Sequence, residues 1–257
     1  MAKLQELPGQ AQKEILVVPI IDTSGSMYGA NISAVNEAMN EVPAQLAEIE
    51  QNQEVDILVA PIAFSNGAKW MGLLNDKPLK AEEFVWNDVE ATGGTDMGAA
   101  FSLLNEKLTT IDKGGWMDGR KGLRPILLLI SDGEPNDEWQ TPLNELRKRG
   151  WFKVACKFAI AVGAGADKSV LEEFTKTREN IYDTETLRCG LSTLIKAIVM
   201  ASSIAVSDGA ENQADPTSAQ GDLEDQVQAG ITEAVGSTVE DIEKNPTDMF
   251  DDSEDFS

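Results

Sequence analysis

Histidine is absent from this 257-residue chain. Its absence excludes Ser-His-Asp and Cys-His nucleophile systems, His-ligated zinc and imidazole acid/base chemistry together. Any chemistry must run on oxygens. Cysteine is nearly as scarce: Cys156 and Cys189 stand far apart with no CxxC spacing and read as reduced core thiols rather than a disulfide framework or zinc site. Basic residues are few, 21 against 44 acids, for a net charge of −23. Phosphate backbones need Lys and Arg, so nucleic acid is excluded as a partner. Cations and basic proteins are the natural ligands. Long apolar runs are missing too, since the stretches at 15–21, 126–130 and 158–162 fall short of the roughly 18–20 residues of a membrane span. The polar first twelve residues hold no signal-peptide core, so the expectation is a cytoplasmic protein without a membrane partner. No Walker lysine motif and no nucleotide-type GxGxxG supports ATP use.

What is present is enough for a core: 42% hydrophobic residues, with 5 Trp and 8 Phe. The charge is uneven. Residues 207–257 carry 15 acids against the single base Lys244, so −14 of the −23 lies in the last fifth of the chain. We therefore divide the chain into a lead segment, 1–13, a folded domain, 14–206, and an acidic tail, 207–257, with the composition of a disordered segment. Within the tail Leu223, Val227, Ile231, Val235, Val239 and Ile242 recur every three or four residues. This marks either a docking helix at 222–243 or a chance periodicity, which Gly221, Gly230 and Gly236 would weaken. The terminal "DMFDDSEDFS" mixes acids and aromatics as short docking peptides do.

In the domain, apolar runs alternate with helical patterns. Ile15–Ile21 reads as a buried strand, followed by Ile32, Val35, Ala38, Met39, Val42, Leu46 and Ile49 at helical spacing. Val55–Phe64 reads as a second buried strand, and Ala68–Leu74, after Asn66-Gly67, as its antiparallel hairpin partner. An extended piece at 84–89 leads to Gly93-Gly94-Thr95 and a helix carrying Ala99, Ala100, Leu103, Leu104 and Leu108. The strand at 126–130 ends in "SDGEP", and a helix at 141–148 should stop at Gly150. A strand at 154–162, a helix at 168–176, a short strand at 180–182 and a helix at 190–203 complete the order. The expected fold is a doubly wound α/β sandwich: a mostly parallel sheet of about six strands, one antiparallel edge strand, helices on both faces. Pro19 and Pro61 occupy similar places in "VVPIID" and "VAPIAFS", and each removes a ladder donor. The two strands should then be neighbours sharing a locally open stretch of ladder.

Loops leaving the C-terminal ends of such strands build a binding crevice. Three polar loops meet there: the first with Asp22, Ser24 and Ser26, the second with Thr95 behind Gly93-Gly94, the third with Asp132. Two carboxylates and three hydroxyls are hard oxygen donors, suited to Mg²⁺ or Mn²⁺ and poorly suited to zinc or copper. Taken singly, Asp and Ser at such places cap helices and turn loops. Nearby Asp96, Glu134, Asp137 and Glu138 read as loop charges and acids at helix starts, with selection of a cationic partner or a second ion as the alternative. Trp116 and Trp139 read as core or rim packing rather than contact surface.

"DTSGSM", "TGGTD" and "SDGEP", in this order, resemble the von Willebrand factor A fold and its metal-ion-dependent adhesion site over about Glu14–Ser203. All five positions of the pattern D-x-S-x-S, T and D are present, as Asp22, Ser24, Ser26, Thr95 and Asp132. "RPILLLISDGEPNDEW", from Arg124 to Trp139, is similar to the bacterial TerY-like branch associated with tellurite-resistance and stress clusters. The resemblance implies that both serines and often the threonine bind metal directly, with the aspartates often acting through water. It implies a non-enzymatic module that binds a partner's carboxylate through the metal, with an associated phosphatase or kinase as a candidate partner. Related domains can move their last helix with metal, which leaves movement of the helix at 190–203 open here, and two alternative functions stand beside this reading. One is a metal-dependent phosphohydrolase with Asp22 as nucleophile, although Ser24 stands where D-x-D enzymes carry a second carboxylate. The other is a scaffold acting through its acidic tail.

Overall fold

Lys13–Asp22, KEILVVPIID, forms β1 in the computed structural model, and from Ile15 onwards every residue of it is buried. A strand buried on both faces must lie in the middle of a sheet covered on two sides. The structure describes residues 13–53, 55–118, 124–184, 190–209, 229, 230 and 232. Parallel to β1 run β2 (Val55–Val59) and β3 (Ile62–Ser65) on one side and β6 (Ile126–Ser131) on the other. Beyond β6 lie β7 (Cys156–Ala161) and β8 (Ile181–Asp183), also parallel. β4 (Gly67–Trp70) closes the other edge antiparallel to β3, and the two-residue β5 (Leu79–Lys80) pairs antiparallel with β2. The order is β4-β3-β1-β6-β7-β8, with β2 beside β1 in line with β3. This is the mostly parallel doubly wound sheet expected.

Alternation along β1 separates two apolar layers. Ile15, Val17 and Ile21 meet α1 (Ala30–Gln53) and the last helix, α6 (Leu191–Gly209). Leu16, Val18 and Ile20 meet α2 (Met97–Lys107), α3 (Gln140–Leu146) and α5 (Lys168–Thr175). The buried stripe of α1 consists of the seven residues its periodicity marks, Ile32 through Ile49. α6 runs to Gly209, across the boundary expected at 206. No helix among the described residues is long and apolar enough to cross a membrane.

The expected single strand at 55–64 is two strands, β2 and β3, and Pro61 is the reason. Registers Val17↔Val59 and Ile20↔Ile62 place Pro19 opposite Pro61, in a gap between the two ladders. The strands are neighbours around a locally open stretch, as the prolines indicated. Pro61 turns its carbonyl away from β1, to the Met71 N–H at 2.8 Å, where the outer partner changes from β5 to β4. A missing donor costs nothing at a point where no partner stands.

The extended piece at 84–89 follows a 3₁₀ turn at Ala81–Glu83, joins no strand ladder and is tied to α1 by Asn36, whose amide oxygen accepts from Trp86 Nε1 and Val89 N–H. One further expectation fails. Gly150 does not stop a helix, because α3 ends at Leu146 and Gly150 opens the short α4 (Gly150–Val154). Phe152 draws this turn into the core, where it packs edge-on against Phe174. Of the tail segment 222–243, most lies outside the described residues; 229, 230 and 232 are helical.

Candidate metal centre

Chain connections leave β1 and β6 in opposite directions, through α1 to β2 and through α3 and α4 to β7, so their carboxyl ends flank a switch point. Asp22 ends β1, and Asp132 follows the last residue of β6. The register Ile21↔Ile130 sets Asp22 beside Ser131. Ser131 Oγ donates to Asp22 Oδ2 at 2.6 Å and accepts from the Gly133 N–H at 2.9 Å. Asp22 Oδ1 accepts from the Ser24 N–H at 2.9 Å, an Asx turn that swings the chain back over the strand end. Ser24 and Ser26 then face each other, Oγ to Oγ at 3.0 Å, with Ser24 buried and Ser26 exposed.

The second loop is stitched to both others. Gly25 N–H donates to the Gly93 carbonyl at 3.1 Å, and Thr92 N–H to the Thr23 carbonyl at 2.9 Å. Thr95 N–H donates to Asn136 Oδ1 at 2.9 Å, while Asn136 N–H returns a bond to the Thr95 carbonyl at 3.1 Å. Asn66 Oδ1 holds the Gly94 N–H at 2.7 Å. Glycine is required at 133, where φ is +79° and a Cβ would lie 2.2 Å from the Asp167 carbonyl. The third loop thereby packs directly on the chain leading into α5, with Asp167 N–H donating to the Asp132 carbonyl at 2.7 Å. The three loops carrying Asp22, Ser24, Ser26, Thr95 and Asp132 thus form one hydrogen-bonded unit at one sheet edge.

A family model described as the von Willebrand factor type A domain matches residues 17–197. The chain belongs to the von Willebrand factor A family. Its VWA domain is 28% identical over 178 residues to human inter-alpha-trypsin inhibitor heavy chain H6, across 64% of this chain and 13% of that protein. Among solved structures, proximal thread matrix protein 1 of the mussel byssus, with a zinc-occupied MIDAS motif, aligns at TM-score 0.53 and 19% identity, covering 74% of this chain and 49% of that one. The pilus adhesin SpaC of Lactobacillus rhamnosus GG aligns at TM-score 0.50 and 13% identity, covering 87% and 31%. At these identities the likeness is one of fold. The chain spans about an eighth of the curated relative and about half of the mussel protein.

The electrostatics of the VWA site fit a cation. Asp22 is wholly buried, and burial pushes its carboxyl above the usual range; the bonds from Ser131 and Ser24 pull it down, and the nearby Asp132 pushes it up again. Among the described residues no lysine or arginine pairs with either aspartate. A divalent ion here would reverse both unfavourable terms. No group of three His, Cys, Asp or Glu side chains gathers among the described residues.

Asp96 and Asp137, near the ligands in sequence, face elsewhere. Asp96 Oδ2 accepts from the Gly67 N–H at 2.6 Å, and Asp137 Oδ2 from the Gly98 N–H at 2.8 Å, in the first turn of α2. Glu138 Oε1 caps Thr141 of α3, and Glu134 is exposed. Trp116 packs against Trp70 with centroids 4.5 Å apart, donating to the Asp76 carbonyl, and partly buried Trp139 packs on the core. The sequence reading missed Ser131, Asn66 and Asn136, which hold the donors in place. Ser131 had a signal: a hydroxyl at the end of an otherwise apolar strand, beside the aspartate. Tyr28, two residues beyond Ser26, is 82% exposed. Beside the second loop lies a groove of about 570 Å³, lined in part by Thr23, Asn66, Lys69, Asp88 and Glu90.

Proposed function

We propose that the chain is a protein-interaction module that binds a partner's carboxylate through a divalent cation, Mg²⁺ by preference, held by Asp22, Ser24, Ser26, Thr95 and Asp132. The observation that carries this reading is the buried Asp22, influenced by nearby Asp132 and bonded to the Ser24 N–H, with the Ser24 and Ser26 hydroxyls facing each other beside it and no lysine or arginine paired with either aspartate among the described residues. Neutral hydroxyls neutralise little of an ion's charge, so a bound metal stays electrophilic toward an incoming carboxylate. An all-oxygen set favours Mg²⁺ or Mn²⁺ over softer ions. Both Asp22 oxygens already accept hydrogen bonds, which supports a role for Asp22 in orienting water or hydroxyls around the ion.

The same observation weighs against Asp22 as a phosphohydrolase nucleophile. A carboxylate that attacks phosphorus needs a lone pair open to substrate, and this one is 0% exposed. Zinc in the motif of the mussel protein supports a divalent ion at the matching place here. Exposed Tyr28 offers the partner an aromatic contact beside the ion. The likeness of Arg124–Trp139 to TerY-like proteins supports a cytoplasmic role in a bacterial stress or tellurite-resistance system, with a phosphatase or kinase as the partner. That narrower setting rests on this one segment.

The test is co-purification from the native host with the full-length tagged chain, in Mg²⁺ and in EDTA, beside Asp132→Ala. Partner loss in EDTA and in the variant is expected. A partner held equally in all three samples refutes the metal-mediated reading. Hydrolysis of a generic phosphate ester by wild type with Mg²⁺, abolished by Asp22→Asn, would establish the enzyme instead.

A further inference from the structure

The last helix of an α/β sandwich normally shows one face to water. α6 does not. From Ala197 to Ser203 seven consecutive residues cover the whole circumference of the helix, and all are buried except half-buried Met200. Ser202 is 0% exposed, and its Oγ has no hydrogen-bond partner among the described residues. One side of α6 packs on α1, where Lys196 pairs with Glu48 at 2.6 Å. The sheet takes a second side, and something else must cover the side that carries Ala201.

Gly230 lies on it. A Cβ at Gly230 would stand 3.1 Å from the Cβ of Ala201 and 3.8 Å from its Cα, and residues 229, 230 and 232 are helical. Two small residues meeting there let two helix backbones approach closely. We propose that the tail stripe around Gly230, centred on Val227, Ile231 and Val235, docks in cis on the outer face of α6 and completes the domain. Its occupant is therefore this chain's own 222–243 segment rather than a partner's helix.

The chain length permits this. Ala201 lies eight residues before Gly209, about 12 Å along the helix, and the 20 residues between Gly209 and Gly230 span that distance several times over. The segment between them holds Pro216 and Gly221, as a helix–helix connection should. Acids at 224, 225, 233, 240 and 241 fall between the apolar positions and give the docked segment a solvated face. The inference is independent of the metal site. It assigns the apolar stripe of the tail to the fold and leaves the remaining acidic sequence, 244–257, as the part open to a partner.

The full-length chain with Ala201→Cys and Gly230→Cys tests the placement, because a Cβ pair this close lies within a few tenths of an ångström of disulfide geometry. Under mild oxidation, peptide mapping should find the 201–230 link within single chains in most of the monomer. Links only between chains, or two thiols that stay reactive, overturn the proposal. Hydrogen exchange tests the covering. Gly230→Leu overpacks the contact, and amide exchange of 197–203 should rise about tenfold while the β1 and β6 amides keep wild-type rates. Unchanged exchange across α6 in that variant also overturns it.

Discussion

Ser131→Ala isolates the one hydroxyl that joins Asp22 to the third loop. The side chain donates to Asp22 Oδ2 at 2.6 Å and accepts from the buried Gly133 N–H at 2.9 Å. Its loss leaves a buried carboxylate oxygen and a buried amide without partners. An unsatisfied buried group costs about 1–3 kcal/mol, and rather more where the group is charged. Allowing for partial relaxation, we expect destabilisation of about 3 kcal/mol, which for a domain of this size lowers Tm by roughly 6–12 °C. Urea unfolding followed by tryptophan fluorescence, in EDTA so that no metal contributes, measures it. The sign with pH follows from Asp22. Its folded pKa already lies above the unfolded value, so this group lowers stability as pH rises from the unfolded pKa through the folded one. Removing a bond that favours the ionised form deepens that loss, so the variant's deficit should be larger at neutral pH than near pH 4. A deficit below about 1 kcal/mol at neutral pH, or one that does not change with pH, refutes the role given to Ser131. A cycle with Asp22→Asn should show coupling of at least about 1 kcal/mol.

Mg²⁺ should raise the Tm of the wild-type chain, by mass action on the folded state, and leave Asp132→Ala and Ser24→Ala unmoved; scanning fluorimetry across a metal titration decides this. Gly133→Ala places a methyl 2.2 Å from the Asp167 carbonyl at a φ of +79°, so we expect a loss of more than about 3 kcal/mol in urea unfolding, with metal response impaired as the third loop shifts. Asp167 caps α5 through the Ser169 N–H at 2.9 Å, and the Ser169 hydroxyl and amide hold its carboxyl below the usual 3.8. Asp167→Ala should cost about 1 kcal/mol at pH 7, and the difference from wild type should vanish as pH falls through the depressed pKa, where the cap is protonated. Tyr28→Ala should weaken partner binding about tenfold without changing Mg²⁺ affinity, since the ring is exposed and bonded to nothing in the site; equal partner affinity would remove Tyr28 from the contact surface.

The placement of the five proposed ligand positions in loops at the carboxyl edge was legible because each follows a strand or precedes a helix whose apolar pattern is unambiguous. Asp22 ends an eight-residue buried run, Asp132 follows ILLLIS, and Thr95 stands just before the α2 stripe. The mostly parallel, doubly wound sheet follows from the alternation of strands and helices, and the placement of Pro19 beside Pro61 follows from the cost of a missing ladder donor. Local rules also state that loops at the carboxyl edge share a crevice. They do not state which backbone groups lock those loops together. Ser131, Asn66 and Asn136 act through bonds that cross 28 to 109 residues of sequence, and a single polar residue carries no mark of so distant a partner. The break of β2 from β3 and the start of α4 at Gly150 were likewise decided by neighbours: an outer strand that changes at Pro61, and an aromatic pocket that takes Phe152. Sequence alone determined the sheet and the polar, oxygen-bearing residues that end its strands, because periodicity and residue type are local properties. Only tertiary structure decided the burial of Asp22, the hydroxyl that holds it and the return of Gly230 to α6, because desolvation and contact exist only once distant segments have met.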